Sequence, residues 1–403
     1  MLRLISTIAA GAIAALAVSG AAEAQDKIKI GYAISLSGPN AAGASITTVP
    51  NYKLWFHDIE AAGGLKLGET RVPIEVIEYD DQSSNEELIK AAERLVNQDK
   101  VDIMLSPWGT GMNLAVGATF AKYGYPHMAA TAATDLAYEM AAKWPNSFWM
   151  LGTSTMGANA LTEVLTKLHG AGKINAKVAM VSVADAFGIE LSNASRPALA
   201  AAGFELVMDE SYPITTEDFS QLINAAKASG ADTFVAFSYP PDTFGLSGTA
   251  IALGYNPAAF YTAVGTAFSI YRDVILHDNV DGVLGIGGVD TDDPKFKDYA
   301  KRHLEVTGQP PDYWASPVTY ASLEILQQAI ERVGKIDREA IVKEIQTGTF
   351  DTVAGTIKLD RNVNPNVWWA GQWQNGEFHG LAPSSMAGAK EPVAPKPAWK
   401  PAP

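Results

Sequence analysis

From residue 27 onward the chain repeats one pattern: a short apolar run of strand length, a turn built from Ser, Gly, Pro or Asn, and a stretch with helical apolar spacing. Residues 27–34 read as a strand, and Ser37-Gly38-Pro39 turns into one long helical pattern that ends at Gly63-Gly64. Residues 72–79 read as the next strand. Ser84-Asn85-Glu86-Glu87 then fits a capping box before a helix carrying Leu88, Ala91, Ala92, Leu95 and Val96. Residues 101–105 and 125–129 follow as strands. Strands separated by helices with short connections line up in parallel, so the pattern predicts an α/β fold whose sheet is covered on both faces. In such sheets ligands sit beyond the carboxyl ends of the strands.

After the apolar run 148–152 the alternation restarts. A helix to Leu168, a strand at 177–182, a helix after Phe187, a strand at 204–208, a helix at 221–229 and a strand at 232–237 read as a second α/β unit. Asp102 and Asp232 each open a strand, each strand ends in a Pro-bearing aromatic turn, and Gly124-Tyr125 and Gly254-Tyr255 follow the next helices, all offset by 130 residues. Two lobes of one architecture explain that offset, and 403 residues are too many for one ordinary core. Residues 283–289 read as a returning strand, followed by helices at about 293–306, 313–333 and 337–345. Residues 353–359 and 367–373 are expected to pair as terminal strands. Beyond Gly380 the composition shifts to Ala, Pro and Lys, which favours an extended tail.

The stretch with most chemical content is Ser106-Pro107-Trp108-Gly109-Thr110-Gly111, between an apolar strand and a helical pattern. A strand feeding a Gly-rich turn and a helix start leaves N–H groups free for an anion or carbonyl oxygen. Trp108 supplies an apolar plate beside them. The run Thr131-Ala132-Ala133-Thr134-Asp135 likewise keeps backbone groups accessible through small side chains. Asp185 and Asp242 stand at strand ends where helix caps are expected. Asp80 and Asp81 are neighbours on a strand end, so their carboxylates point to opposite faces. The six histidines, at 57, 127, 169, 277, 303 and 379, lack ligand spacing, His127 reads as a strand residue, and no metal or other cofactor is expected. No G-x-S-x-G, H-E-x-x-H, P-loop or dinucleotide fingerprint occurs, so no enzyme is expected.

Residues 1–24 read as a secretory signal peptide: Arg3 begins it, residues 8–18 are its apolar core, and Ala22-Glu23-Ala24 resembles a cleavage site. The net charge of −14, which the removal of those residues leaves unchanged, argues against nucleic acid and anionic lipid as partners. The absence of cysteine excludes disulfides and an N-terminal lipid anchor. The mature protein is expected to be free in the periplasm and monomeric.

Several segments together carry a family resemblance: Ile28-Lys29-Ile30-Gly31, Ser37-Gly38-Pro39-Asn40-Ala41-Ala42, Ala61-Ala62-Gly63-Gly64, Glu78-Tyr79-Asp80-Asp81-Gln82 and Leu95-Val96-Asn97-Gln98-Asp99-Lys100-Val101-Asp102. The chain resembles the periplasmic solute-binding proteins of ATP-binding cassette importers, of the branched-chain amino acid (Leu/Ile/Val) receptor type. The resemblance implies a type I periplasmic-binding fold, with two doubly wound parallel-sheet lobes joined by a three-segment hinge and a ligand cleft between them. Its boundaries are expected at 25–152 and 288–352 for the N-terminal lobe, 153–287 and 353–380 for the C-terminal lobe, and 381–403 for the tail. It implies a small-molecule ligand trapped by lobe closure, and a membrane permease as partner. It assigns ligand contacts to Ser37, to Trp108, Thr110 and Gly111 in the turn, to Ala132 and Thr134 as a carboxylate grip, and to Phe187, Tyr239 and Val264 in the second lobe.

The departure lies at Tyr261-Thr262-Ala263-Val264-Gly265-Thr266, where relatives that bind amino acids carry an acidic residue for the ammonium. An ammonium without a charge partner in a dry cleft typically loses about 2–5 kcal/mol. Trp108, Phe187 and Tyr239 instead suit a flat ring, with Thr110 and Thr134 for an acid group. The expected ligand is therefore an aromatic carboxylate of the benzoate, hydroxybenzoate, phenylpropenoid or benzoylformate type. An amino acid, amide or urea for transport, or a ligand-sensing role, stand as alternatives.

Overall fold

The computed structural model describes residues 27–400, and the expected signal peptide lies outside them. Two lobes form around separate parallel sheets. In the first lobe Ile28–Ile34 is the middle strand, with Ile74–Asp80 on one side and Ile103–Met104 on the other, all parallel. His127–Ala129 and Ser147–Trp149 form a further parallel pair. The second lobe holds seven strands in the order Glu377–Ala382, Ala370–Gln374, Leu284–Gly285, Ala259–Thr262, Thr233–Phe237, Lys177–Val183, Glu205–Tyr212. Five are parallel, and the two last in sequence join antiparallel at one edge.

The internal repeat is carried by hydrogen bonds as well as spacing. The Asp102 carboxylate accepts the Lys29 N–H at the foot of the neighbouring strand (2.8 Å), and that of Asp232 accepts the Asn175 N–H just before the strand beside it (2.8 and 2.9 Å). Helices Thr110–Tyr123 and Pro240–Ala252 then begin 130 residues apart. Each is followed by a glycine at positive φ, Gly124 at 73° and Gly254 at 62°, which only a residue without Cβ adopts at little strain.

Local structure departs from expectation where tertiary constraints act. The helical pattern before Gly63 is broken into Ala41–Thr47 and Val49–Ala61, because Pro50 sits in the first turn of the second and cannot continue the first. Residues 353–359 and 367–373 do not pair. Each run makes its own hairpin instead, Phe350–Thr352 with Gly355–Ile357, and Ala370–Gln374 with Glu377–Ala382. The first hairpin packs on helix Ala315–Val333, which itself packs on first-lobe helix Val49–Ala61, and Val363 bridges to Trp149. The last crossing to the second lobe therefore falls after Val363, not at 353.

The tail runs without regular structure along the second lobe, and it is pinned. Gln372 donates to the Val393 carbonyl (2.7 Å) and accepts the Val393 N–H (2.8 Å), closing a side-chain bridge onto the backbone. Ala394 and Lys396 are buried, the Lys396 N–H reaches the Ala258 carbonyl (2.9 Å), and Trp399 meets Phe260 edge-on at 4.8 Å. Burial pulls the Lys396 ammonium down to about 7, and its Nζ lies 3.7 Å from the Trp399 ring centroid. Replacing Trp399 by Ala removes both ring contacts and is expected to destabilise the protein by about 1–2 kcal/mol. Urea unfolding measures this, and a variant as stable as the parent would show that the tail adds nothing to the core.

Candidate functional site

The turn after Ile103–Met104 is shaped by three fixtures. Gly109 takes φ 92° as it leads into helix Thr110–Tyr123, a conformation that disfavours any residue with a Cβ. Trp108 lies flat on helix Ala41–Thr47, so close that a Cβ on Gly43 would fall 2.1 Å from its ring. Its indole N–H donates to Thr47 Oγ1 at 2.9 Å. Buried Trp108 is thus fixed in both position and tilt.

The third fixture is a buried relay. Asn113 donates through Nδ2 to the carbonyls of Pro107 (3.1 Å) and Gly109 (2.9 Å). Its Oδ1 must then accept, and its partner is His127 Nε2 at 3.0 Å, which assigns the proton to that nitrogen. His127 Nδ1 is left to accept from the Ser147 hydroxyl at 2.9 Å. Complete burial pulls the imidazole down to about 3, so it is neutral. His127 is therefore more than a strand residue: it holds the turn that carries Trp108.

Across the cleft the second lobe presents two rings. Phe187 and Tyr239 stack at 5.3 Å with 20° between their planes, and Tyr239 meets Trp108 of the first lobe at 5.4 Å. Tyr239 donates its hydroxyl to Asp185 (2.7 Å), while Asp185 also caps its helix by accepting the Gly188 N–H (3.0 Å). Asp242 accepts the Tyr212 hydroxyl (3.2 Å) and the Tyr239 N–H (3.2 Å). Burial raises both carboxyl groups, Asp242 to about 6, and raises the Tyr239 phenol further, with Asp185 adding to it. Both acids are thus helix caps that also orient tyrosines.

These rings surround a cavity of about 20 Å³, room for about one water. Of the expected contacts, Trp108, Thr110, Phe187, Tyr239 and Val264 line it together, joined by Gly109, Thr131, Leu151, Ala315 and Trp314. No lining side chain is an acid or a base. Gly111 stands in the first helical turn, where a Cβ would meet nothing within 4 Å. Four expected contacts lie outside the lining, and Gly111 is one of them. Ser37 is drawn to Asp80 (2.7 Å), Ala132 is fully buried, and Thr134 donates to Glu190 (2.7 Å). Trp314 went unseen in the sequence because it sits two hundred residues from the turn it faces.

A model of the periplasmic binding protein family matches residues 27–377. The chain is similar to Leu/Ile/Val-binding protein homolog 7 of Brucella suis biovar 1 (strain 1330), 25% identical over 394 residues that take in 93% of this chain and 96% of the relative. It is also similar in structure to a solute binding protein of an ABC transporter from Rhodopseudomonas palustris BisB5, in complex with 3,4-dihydroxy benzoic acid. That pair gives a TM-score of 0.76 at 17% identity, covering 91% of this chain and 99% of the other. A leucine binding protein from Thermotoga maritima MSB8 gives 0.73 at 19% identity, covering 89% and 100%. At such identities these two structures establish fold.

The relay makes a test in acid. Because the folded imidazole sits near 3 and the unfolded one near 6.5, the unfolded chain alone takes up the proton between those values. The contribution is whole above pH 6.5 and is lost as the pH falls toward 3. A His127→Gln variant lacks this titration, so the parent's stability relative to it should fall by about 2 kcal/mol between pH 7 and pH 5. Urea unfolding of both proteins at the two pH values measures it, and an unchanged difference would refute a neutral buried imidazole.

Proposed function

The chain belongs to the periplasmic binding protein family, and from that premise we propose which ligand it captures. It is a periplasmic solute-binding receptor of the ABC transporter type, and it is not an enzyme. In our reading the ligand is an aromatic carboxylate of the benzoate, hydroxybenzoate, phenylpropenoid or benzoylformate type. Lobe closure traps it for delivery to a membrane permease. The receptor acts as a monomer, exported with cleavage after Ala24.

The observation that carries this reading is the lining itself: four aromatic rings, two threonine hydroxyls and no acid or base. Val264 lines the cavity at the segment where the family resemblance puts an acidic residue in amino acid receptors, and Asp185 and Asp242 are engaged by tyrosines and backbone. The ligand ring sits between Trp108 and the Tyr239–Phe187 pair. A ring between two others needs faces about 7 Å apart, so the aromatic groups must part from their 5.4 Å contact as the ligand enters. The acid group lies at the start of helix Thr110–Tyr123, whose N-terminal N–H groups lack a side-chain cap. Thr110 and Thr131 flank it. The known complex of a structural neighbour with 3,4-dihydroxy benzoic acid supports the ligand class.

Calorimetric titration of the refolded protein with 4-hydroxybenzoate and with leucine, side by side, tests the reading. Saturable binding of the aromatic acid is expected, with affinity falling about tenfold or more in Trp108→Ala and in Thr110→Val. Binding of leucine alone would overturn it.

A further inference from the structure

Thr134 and Asp135 belong to the first-lobe segment that follows His127–Ala129, and Glu190 belongs to second-lobe helix Ala186–Ala201. One oxygen of Glu190 accepts the Thr134 hydroxyl at 2.7 Å, and the other accepts the Asp135 N–H at 2.8 Å. Ser154, at the start of the helix that follows the first crossing, adds a longer contact at 3.5 Å. The Asp135 carboxylate in turn accepts the N–H and hydroxyl of Thr155, at 2.8 and 2.9 Å. Thr134 is fully buried, and its oxygen also accepts the Leu136 N–H at 3.1 Å, which fixes its rotamer toward Glu190.

A hydroxyl and a main-chain N–H converging on the two oxygens of one carboxylate is an arrangement for binding an acid group. Here the chain supplies that acid itself, from the opposite lobe. We infer that Glu190 is a specificity-determining residue: its carboxylate occupies the donors of Thr134 and Asp135, so the lobes join there through the protein. The ligand's acid group is then read only at the start of helix Thr110–Tyr123.

The inference rests on the receptor reading above and adds two consequences. A ligand need not bridge the lobes at Thr134 to favour the closed form, because Glu190 already does so. Opening the cleft must break the two charge-assisted hydrogen bonds to Glu190, next to which Asp135 holds Thr155, so only the fraction of molecules with the Glu190 contact released admits a ligand. Thr110 and Thr134 thereby separate in role, the first contacting ligand and the second closing the cleft.

The test uses Glu190→Ala, Glu190→Gln and Thr134→Val in the mature chain, with 4-hydroxybenzoate as probe. Small-angle X-ray scattering without added ligand should show the Ala variant more open than the parent, and the probe should compact it. Stopped-flow association of the probe should be about tenfold faster in Glu190→Ala, with Glu190→Gln between it and the parent. Thr134→Val should open the cleft in the same way while Thr110→Val weakens probe binding without opening it. If Glu190→Ala is as compact as the parent and associates at the same rate, the inference fails. Should Glu190→Ala not fold, Thr134→Val gives the same decision from the other lobe. If the parent binds no aromatic acid, the ligand reading fails, while the ligand-free scattering still decides the role of Glu190.

Discussion

Everything in the cleft depends on where the Trp108 indole is held. Its plane is set by contact with Gly43 and its edge by the hydrogen bond to Thr47, so helix Ala41–Thr47 acts as the bed on which it lies. From the other side Asn113 grips the carbonyls of Pro107 and Gly109, and neutral His127 holds Asn113. A side chain buried on a helix and fixed at its polar atom has little rotamer freedom left to lose when a ligand arrives. The first lobe thereby presents a ready-made plate, against which the second lobe brings Tyr239 and Phe187.

The second theme is how the protein disposes of negative charge near this plate. Asp185 is spent on a helix N-terminus and the Tyr239 hydroxyl, Asp242 on Tyr212 and the Tyr239 N–H, and Glu190 on the opposite lobe. Each carboxylate has donors from the chain itself, and none reaches the lining. A chain of net charge −14 thus keeps a cleft without a side-chain charge. An acid ligand there meets hydroxyls and a helix N-terminus, with no neighbouring carboxylate in the lining to repel it.

The strand and helix alternation and the Ser84 cap were legible because each is a local matter of spacing and capping, carried by residues a few positions apart, and the 130-residue repeat because the same local pattern recurs in both copies. The turn at Trp108 was legible for the same reason. What stayed hidden was contact between distant segments. Nothing around Glu190 distinguishes it from a solvated helix residue until Thr134 is placed opposite, and Trp314 reaches the lining from beyond the second crossing. His127 is the strand residue it was read as, but its relay to Asn113 and Ser147 exists only in three dimensions. The terminal runs were expected to pair with each other because apolar runs do not reveal where a strand turns back, and the tail is extended as its composition favours, while its pinning by Gln372 could not be read from composition.

The most direct measurement is a crystal structure of the mature protein with 4-hydroxybenzoate. The account predicts ring density between Trp108 and Tyr239, the carboxylate at the start of helix Thr110–Tyr123, and Glu190 still bonded to Thr134 and Asp135. A ligand carboxylate seated on Thr134, with Glu190 displaced, or a ring bound away from Trp108, would contradict it.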